Sequence, residues 1–293
     1  MSANGLPVDA QERNIALGDR LGTPTGSRSL APLGRRLLTV TRMRELGAYR
    51  ILHATDPSGH APDPGQFAML AAAERWGAGE DERPYLPRAF SYARWSAGEA
   101  QFLLEDVGPG THRLCELREG DSLWALGPLG QGFTAPKDAR RALLVGGGVG
   151  IAPLAIWQDQ LGEQATVLLG FRDRAHAEGA ALLSNALVTS DDGSVGRHGL
   201  VTDLLRAELD REAHANVYAC GPPAMLEAVR ALCAERGVPA QLALEAGMAC
   251  GFGACFGCVV PKRGGGYLRV CIDGPVIDAA QLNSVEEHAG SPG

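Results

Sequence analysis

Four cysteines near the C-terminal end of the chain are spaced as ligands for a metal centre. They are Cys250, Cys255, Cys258 and Cys271, separated by four, two and twelve residues. This spacing, C-x4-C-x2-C with a fourth cysteine further on, is typical of a [2Fe–2S] cluster held by four thiolates. Such a cluster carries one electron at a time. The spacing therefore predicts an electron carrier, and the rest of the chain should supply or accept that electron.

The residues between these cysteines suit a tight loop around a cluster. Gly251, Gly253 and Gly257 separate the first three ligands, at positions where the backbone must turn sharply and a Cβ atom is often unfavourable. Backbone N–H groups in such a loop can point at the sulfur atoms and raise the reduction potential.

Two other interpretations of the cysteines remain open. A structural zinc site usually has two C-x-x-C pairs, whereas this segment has one. A zinc-bearing binding or regulatory module without a redox role is the corresponding functional alternative. Disulfides fit a chain without a secretory signal poorly. Away from the segment, Cys115 and Cys233 lie in apolar surroundings, and we expect buried thiols there.

The bulk composition narrows the class of protein. The 293 residues are 45% hydrophobic, which supports substantial cores, and the formal net charge of −7 argues against a nucleic-acid partner. The sequence has no apolar run of about 18 residues, the length that a membrane-spanning helix needs. The N-terminus has no basic start followed by an apolar segment, so we expect no signal peptide and a cytoplasmic location.

Sequence patterning divides the chain into five segments. Residues 1–35, rich in Gly, Ser, Pro and Arg, predict a disordered extension. Residues 36–137 contain short apolar runs between Gly/Pro/Asp turns, which favour a small β-barrel. Residues 138–239 alternate strands and helices, which predicts a parallel α/β sheet. Within it, Thr202 is a possible cap for a helix over 200–209. Residues 240–279 form the cluster module, and 280–293 read as a tail.

Two turns of the α/β segment could bind a nucleotide. A glycine-rich stretch over 146–150 joins a strand to a helix, where small residues and helix N–H groups favour a pyrophosphate. A second turn, Cys220-Gly221-Pro222, also links a strand to a helix. The alternatives are a tight connection for the glycine-rich turn and a packed strand end for the second turn. No acidic residue clearly marks a ribose site after the second strand, whereas Arg172 and Arg174 could meet a 2′-phosphate.

The barrel segment contains one further motif that could bind a cofactor. Arg88, Phe90 and Ser91 place a cation, an aromatic ring and a hydroxyl together. The cation suits phosphate, and the ring can stack on a flat cofactor. A surface arginine beside a half-buried strand is the alternative for this motif.

Taken in order, these motifs resemble those of the ferredoxin–NADP reductase superfamily over about residues 36–279. Arg-x-Phe-Ser at 88–91 is similar to its flavin motif, residues 146–153 to its glycine-rich nicotinamide loop, and 220–222 to its Cys-Gly-Pro motif. With the cluster cysteines at the C-terminal end, the order resembles the electron transfer subunits of NAD-dependent dihydroorotate dehydrogenase. The resemblance implies a six-stranded Greek-key FAD-binding barrel, a Rossmann-like parallel α/β domain and a small [2Fe–2S] module.

The resemblance also implies roles for individual residues. Ser91 and Cys220 would lie at the reacting rings as the catalytic pair. FAD would contact Arg88, Ala89, Phe90, Ser91, Leu103, Leu104, Glu105, Gly110 and Thr111. NAD would contact Gly147, Gly148, Gly150, Cys220 and Gly221. The cluster would be held by Cys250, Cys255, Cys258 and Cys271.

The implied activity is electron transfer within a complex. An FMN-containing catalytic subunit would oxidise dihydroorotate, and electrons would pass through the cluster and FAD to NAD⁺, in a heterotetramer with two of each chain. Nucleic acid and membrane are not expected as partners. A second interpretation keeps the flavin and cluster but places the chain in another complex, of the hydrogenase gamma, sulfite reductase or transhydrogenase type.

Overall fold

A computed structural model describes residues 34–77, 84–136, 138, 140–162 and 165–283. The predicted disordered extension therefore lies outside the described residues, apart from its last two positions. The predicted tail over 280–293 falls outside them from residue 284 onward. Its first part is packed, because Leu282 is buried against the sheet and forms a bridge with Lys262.

Six antiparallel strands close into a barrel. They are β1 (Arg36–Leu46), β2 (Tyr49–Thr55), β3 (Phe67–Ala72), β4 (Arg88–Ser96), β5 (Glu99–Glu105) and β6 (Ser122–Leu129). The order around the barrel is β1-β2-β5-β4-β3-β6, a Greek-key arrangement in which β2 is followed spatially by β5 rather than β3. The predicted Greek-key barrel is confirmed.

The barrel interior is filled by alternating residues of its strands. Leu38 and Val40 of β1 and Leu52 and Ala54 of β2 are almost fully buried, as expected for strands whose successive side chains point to opposite faces. A short helix, α1 (Pro109–Cys115), lies between β5 and β6 and contributes the buried Leu114 to this core.

A seven-stranded sheet forms the core of the α/β part of the chain. Its strands are β7 (Arg141–Gly147), β8 (Ala165–Phe171), β9 (Ala186–Ser190), β10 (Arg197–His198), β11 (Ala215–Cys220), β12 (Ala240–Ala243) and β15 (Val276–Asp278). They are ordered β10-β9-β8-β7-β11-β12-β15, and every pair is parallel except β12 with β15. The predicted parallel α/β sheet is confirmed. The carboxyl ends of β7 and β11 adjoin, since Gly146 pairs with Cys220.

Within the described residues, four α-helices accompany this sheet. They are α2 (Ala152–Leu161), α3 (Arg174–Ala177), α4 (Val201–Arg211) and α5 (Pro223–Arg236). The predicted cap at Thr202 is wrong, because α4 begins one residue earlier and Asp203 accepts the Leu200 N–H at 3.0 Å. In the described part of the chain, no helix is long and apolar enough to cross a bilayer.

The cysteine segment is attached to the sheet at both ends. β12 leads into it, and β15 returns beside β12 with Leu242 opposite Ile277. Between them lies a small hairpin, β13 (Val259–Pro261) with β14 (Tyr267–Arg269), which is flanked by Cys258 and Cys271. The segment predicted as a separate module over 240–279 thus supplies two strands of the large sheet. β15 has three residues, too few to be recognised from its pattern.

Candidate functional site

A cleft of about 330 Å³ opens where the barrel, the sheet and the cysteine segment meet. We call it the central cleft. It brings together several predicted residues from distant parts of the chain, namely Arg88, Ala89, Phe90, Ser91, Leu103, Thr111, Gly150 and Cys220. These positions were predicted as FAD or NAD contacts and remain predictions for binding, but the structure places all of them around one cavity.

Arg88 is held at the edge of the central cleft by its surroundings. Its Nη1 donates to the Leu86 carbonyl at 2.5 Å, and its guanidinium lies 6.0 Å from the Trp76 ring centroid. A Cβ atom on Gly110 would come within 2.5 Å of Arg88 Nε, so a larger residue there would displace the guanidinium from this position. Thr111 Oγ1 accepts the Val107 N–H at 2.9 Å and orders the turn beside it. A fixed cation at a cleft wall suits a phosphate group.

The glycine-rich turn packs directly on the end of β11. A Cβ atom on Gly150 would lie 2.5 Å from the Cys220 carbonyl oxygen and 2.5 Å from the Gly221 nitrogen. Gly221 in turn packs against Met225 and the backbone of Gly147. The two predicted nucleotide turns therefore form one surface.

Cys220 is a neutral thiol in this arrangement. Burial, with a smaller contribution from the charge of Glu245, raises its pKa well above the usual range for a thiol. The side chain is therefore suited to packing against a ring and unsuited to acting as a thiolate nucleophile.

We expect Gly150→Ala to damage this surface, because the added methyl meets backbone atoms that cannot rotate away. Overpacking of this kind costs about 1–3 kcal/mol of folding stability and should lower the midpoint of thermal unfolding. A displaced turn should also raise the KM for NADH about tenfold, which corresponds to about 1.4 kcal/mol of binding free energy. The measurement is NADH oxidation with ferricyanide, together with thermal unfolding. Gly108→Ala is the matched control, since nothing lies within 4 Å of its Cβ position. Equal kinetics in both variants would contradict the close approach.

A second cleft, of about 370 Å³, lies over the carboxyl ends of β7, β8 and β9, and we call it the sheet-end cleft. Gly147 and Gly148 line it, while Gly150 lines the central cleft. Gly148 has φ +57°, a left-handed conformation that favours glycine. The glycine-rich turn thus separates two adjoining cavities, and an extended dinucleotide across it would reach both.

The predicted FAD contacts on β5 are divided by the structure. Leu103 lines the central cleft, Leu104 is fully buried in the barrel core, and Glu105 lines the sheet-end cleft. Adjacent strand residues point to opposite faces, so the side chain of Leu104 lines neither cleft. Glu105 accepts from Arg172 Nη2 at 2.8 Å and lies 3.2 Å from His176 Nε2. Its carboxylate is therefore directed into the sheet-end cleft.

Three of the four predicted cluster ligands lie on the loop before the β13–β14 hairpin, and the fourth, Cys271, lies in the turn that follows it. Cys258 and Cys271 are buried, Cys250 is half-buried and Cys255 is exposed. Two pairs are in contact: the Cys271 N–H donates to Cys258 Sγ at 3.4 Å, and Cys255 hydrogen-bonds with Cys250. In the described residues, no three His, Cys, Asp or Glu side chains are grouped for a single ion.

The electrostatics of this loop differ between its two sides. Burial opposes ionisation of the Cys250 thiol, but hydrogen bonds from the backbone N–H groups of Phe252, Ala254 and Cys255 and from the Cys255 side chain lower its pKa to about 7. Burial, followed by the neighbouring Cys258 thiol, raises the pKa of Cys271 to about 12. N–H groups directed at sulfur suit a thiolate ligand.

The loop conformation fits a [2Fe–2S] cluster. Gly251 and Gly253 have φ of +78° and +84°, and Cβ atoms there would strike Met69 at 2.5 Å and Ile272 at 2.7 Å. A two-iron cluster with four cysteine ligands takes two thiolates on each iron, and the two contacting pairs would provide one pair for each iron. All seven cysteines are free thiols. Burial raises the pKa of Cys115 to about 11 and that of Cys233 to about 12, as expected for buried thiols.

Comparison with known proteins connects this geometry to a family. Residues 245–283 match the iron–sulfur cluster binding domain of dihydroorotate dehydrogenase B, and residues 144–231 match the oxidoreductase NAD-binding domain. The dihydroorotate dehydrogenase B (NAD⁺) electron transfer subunit of Geobacillus kaustophilus is 36% identical over 264 residues, covering 85% of this chain and 99% of that protein. The chain belongs to this family of electron transfer subunits. The predicted family and oxidoreductase class are confirmed.

Other similar proteins support the same family assignment and the same fold. The electron transfer subunit of Caldanaerobacter subterraneus subsp. tengcongensis is 38% identical over 229 residues, or 76% of this chain and 88% of that one. A solved structure of NADH-dependent reduced ferredoxin-NADP oxidoreductase superposes with a TM-score of 0.73 at 28% identity, covering 87% of this chain and 92% of that one. The ferredoxin reductase of carbazole 1,9a-dioxygenase, at 23% identity and a TM-score of 0.60, covers 72% and 68% and shares the fold. FAD, an iron–sulfur cluster and NAD are the cofactors that these likenesses support.

Several residues that line the central cleft were not predicted from the sequence. Phe67, Pro275 and the whole stretch 243–248 line it. Within that stretch, burial raises the pKa of the Glu245 carboxyl. Glu245 follows β12, the strand next to β11, so its position beside Cys220 could have been found by pairing those strands.

Proposed function

We propose that this chain is the electron transfer subunit of an NAD-dependent dihydroorotate dehydrogenase and serves pyrimidine biosynthesis. It would receive electrons from an FMN-containing catalytic subunit through its [2Fe–2S] cluster and pass them through FAD to NAD⁺. FAD suits the junction because a flavin exchanges both single electrons and hydride. The family membership supports a catalytic partner, and the assembly of two chains of each kind is part of the proposal.

The observation that carries this proposal is the contact between the cysteine loop and the central cleft. Phe67 and Met69 of β3 pack in one apolar cluster with Cys258 and Cys271. Phe67 also lines the central cleft. The same barrel strand therefore contacts both the proposed cluster ligands and the proposed FAD site, which supports single-electron transfer between them.

The coenzyme side is joined to the same cleft through the glycine-rich turn. Gly150 and Cys220 line the central cleft, whereas Gly147 and Gly148 line its neighbour. A nicotinamide placed beside Cys220 would share the central cleft with the flavin ring. Arg88 would hold the FAD phosphates, and Ser91 would lie near the ring. The chain's own contribution is placement of the reacting rings and exclusion of water, so no acid–base triad is needed.

The surface around the cluster loop fits a protein partner. Exposed apolar side chains are concentrated on the loop and its hairpin, at Phe252, Phe256, Val259 and Tyr267. Arg269 stacks over the Phe256 ring at 5.3 Å and adds a cation. Apolar and aromatic groups with arginine are typical of interface cores. We assign this face to the catalytic subunit, in the cytoplasm, where reducing conditions preserve thiolate ligands.

We expect Tyr267→Lys to weaken coupling to the partner, because a charge replaces an exposed aromatic ring at the interface. Loss of one interfacial aromatic costs about 1–3 kcal/mol, so dihydroorotate-dependent NAD⁺ reduction at limiting partner should fall about tenfold. Partner-free NADH oxidation with ferricyanide is measured in parallel. The matched control is Tyr85→Lys, since Tyr85 is 71% exposed and Tyr267 72%. Equal loss in both variants would place the partner elsewhere.

A further inference from the structure

A charged cluster links the barrel to the sheet at the wall of the sheet-end cleft. Glu105, the last residue of β5, accepts from Arg172 Nη2 at 2.8 Å and lies 3.2 Å from His176 Nε2. Arg172 directly follows β8, and all three side chains line the cleft. The sequence motifs did not suggest this contact, since Glu105 was predicted with FAD.

The positive charge of Arg172 is compensated by two neighbouring carboxylates. Besides Glu105, the carboxylate of Asp173 lies 3.8 Å from Arg172 Nε. Asp173 is itself held in place, because its Oδ1 accepts the His176 N–H at 3.0 Å and lies 2.7 Å from His176 Nδ1. His176 is buried, with its ring edge-on to Tyr49 at 5.5 Å. The guanidinium is therefore flanked by two fixed carboxylates.

The sheet-end cleft is the place for the adenosine half of the coenzyme. The nicotinamide must meet the flavin in the central cleft beside Cys220, and the glycine-rich turn between the clefts suits the pyrophosphate. The other end of the dinucleotide then extends over β8 and β9. Asp191, which follows β9, also lines this cleft. An acidic group near the ribose favours NAD, and a free arginine accommodates a 2′-phosphate.

We propose that Glu105 selects NAD over NADP by occupying Arg172. A 2′-phosphate adds roughly 1.5–2 negative charges and would meet Glu105, Asp173 and Asp191 around one compensated arginine. A ribose hydroxyl meets no such repulsion. The inference rests on the proposed coenzyme role of this cleft, and it assigns coenzyme choice to a residue of the barrel rather than of the sheet.

Glu105→Gln tests the proposal directly, because it removes one negative charge while keeping the shape of the side chain. The ratio of kcat/KM for NADPH to that for NADH should rise about tenfold or more, as expected when a like charge beside a phosphate is removed. The double variant Glu105→Gln/Arg172→Gln should lose most of that gain, since the released arginine supplies the new contact. Glu45→Gln, on β1 and paired with Arg50 at 3.4 Å, should leave the ratio unchanged.

The assay is NAD(P)H oxidation by ferricyanide with the FAD- and cluster-loaded chain alone. It needs no catalytic partner, so a failure of dihydroorotate-dependent activity would leave the coenzyme ratio measurable and the inference separately tested. An unchanged ratio in Glu105→Gln, or a parallel loss with both coenzymes, would overturn the proposal. A wild-type preference for NADPH, or a double variant that keeps the full gain, would overturn it as well.

Discussion

Arg88→Ala is expected to release FAD from the chain. Arg88 is the cation at the edge of the central cleft, held by the Leu86 carbonyl and by close contact with Gly110. Charge-assisted contacts to phosphate are among the stronger hydrogen bonds in proteins. Losing them should weaken FAD binding by about 2–4 kcal/mol, or roughly 30- to 1000-fold. NADH oxidation by ferricyanide should disappear at ordinary FAD concentrations.

The measurement for Arg88 is the FAD content of the purified protein, with a fluorescence titration of added FAD. Arg88→Lys keeps the charge and loses the planar fork of donors, so it should bind FAD with intermediate affinity. Arg140→Ala is a matched control, because that half-buried arginine pairs with Asp138 at 2.8 Å and does not line the central cleft. Full FAD content and normal NADH oxidation in Arg88→Ala would show that the central cleft is not the flavin site.

Cys255→Ser is expected to abolish electron transfer from the partner while sparing the flavin reaction. Cys255 is the exposed member of the four cysteines, so its replacement disturbs little packing. Mutation of a residue that only supports a metal ligand lowers metal affinity or activity about 10- to 100-fold. Loss of a ligand itself should lower partner-dependent turnover by at least that much. Visible absorption, iron content and electron paramagnetic resonance after reduction would report the lost cluster.

Cys233→Ser provides the control for this variant, since Cys233 is a buried thiol of α5 outside the loop. It should keep the cluster signal. NADH oxidation by ferricyanide measures the flavin reaction without the cluster, so this activity should survive in Cys255→Ser. A retained [2Fe–2S] signal, or iron replaced by zinc in wild-type protein reconstituted with both metals, would contradict the cluster assignment.

Local patterns were sufficient to predict the frame of the site. The cysteine spacing, the glycine-rich turn at 146–150 and the Arg-x-Phe-Ser motif each depend on neighbours in sequence, and the structure brings Arg88, Gly150 and Cys220 around one cleft. The alternation of short strands in the first segment, and of strands and helices in the second, also predicted the barrel and the parallel sheet. These features are determined by periodicity and turn chemistry over a few residues.

Contacts between the barrel and the sheet could not be predicted in this way. Glu105 was grouped with FAD because the family resemblance implied that contact, yet its carboxylate meets Arg172 across the cleft. The side chain of Leu104 points into the barrel core, because adjacent residues of β5 face opposite sides of the strand. β15 is too short to show a pattern, and it is defined by pairing with β12. Such features arise from tertiary placement rather than local sequence.

The most direct test of the account is dihydroorotate-dependent reduction of NAD⁺ under anaerobic conditions, with the chain co-expressed beside a dihydroorotate dehydrogenase catalytic subunit from the same source. We predict NADH formation that requires both chains, copurification of the two, and one FAD and one [2Fe–2S] cluster for each copy of this chain. A yellow-brown, FAD- and cluster-loaded protein that neither binds that subunit nor reduces NAD⁺ with dihydroorotate would contradict the assignment and place the chain with another oxidoreductase partner.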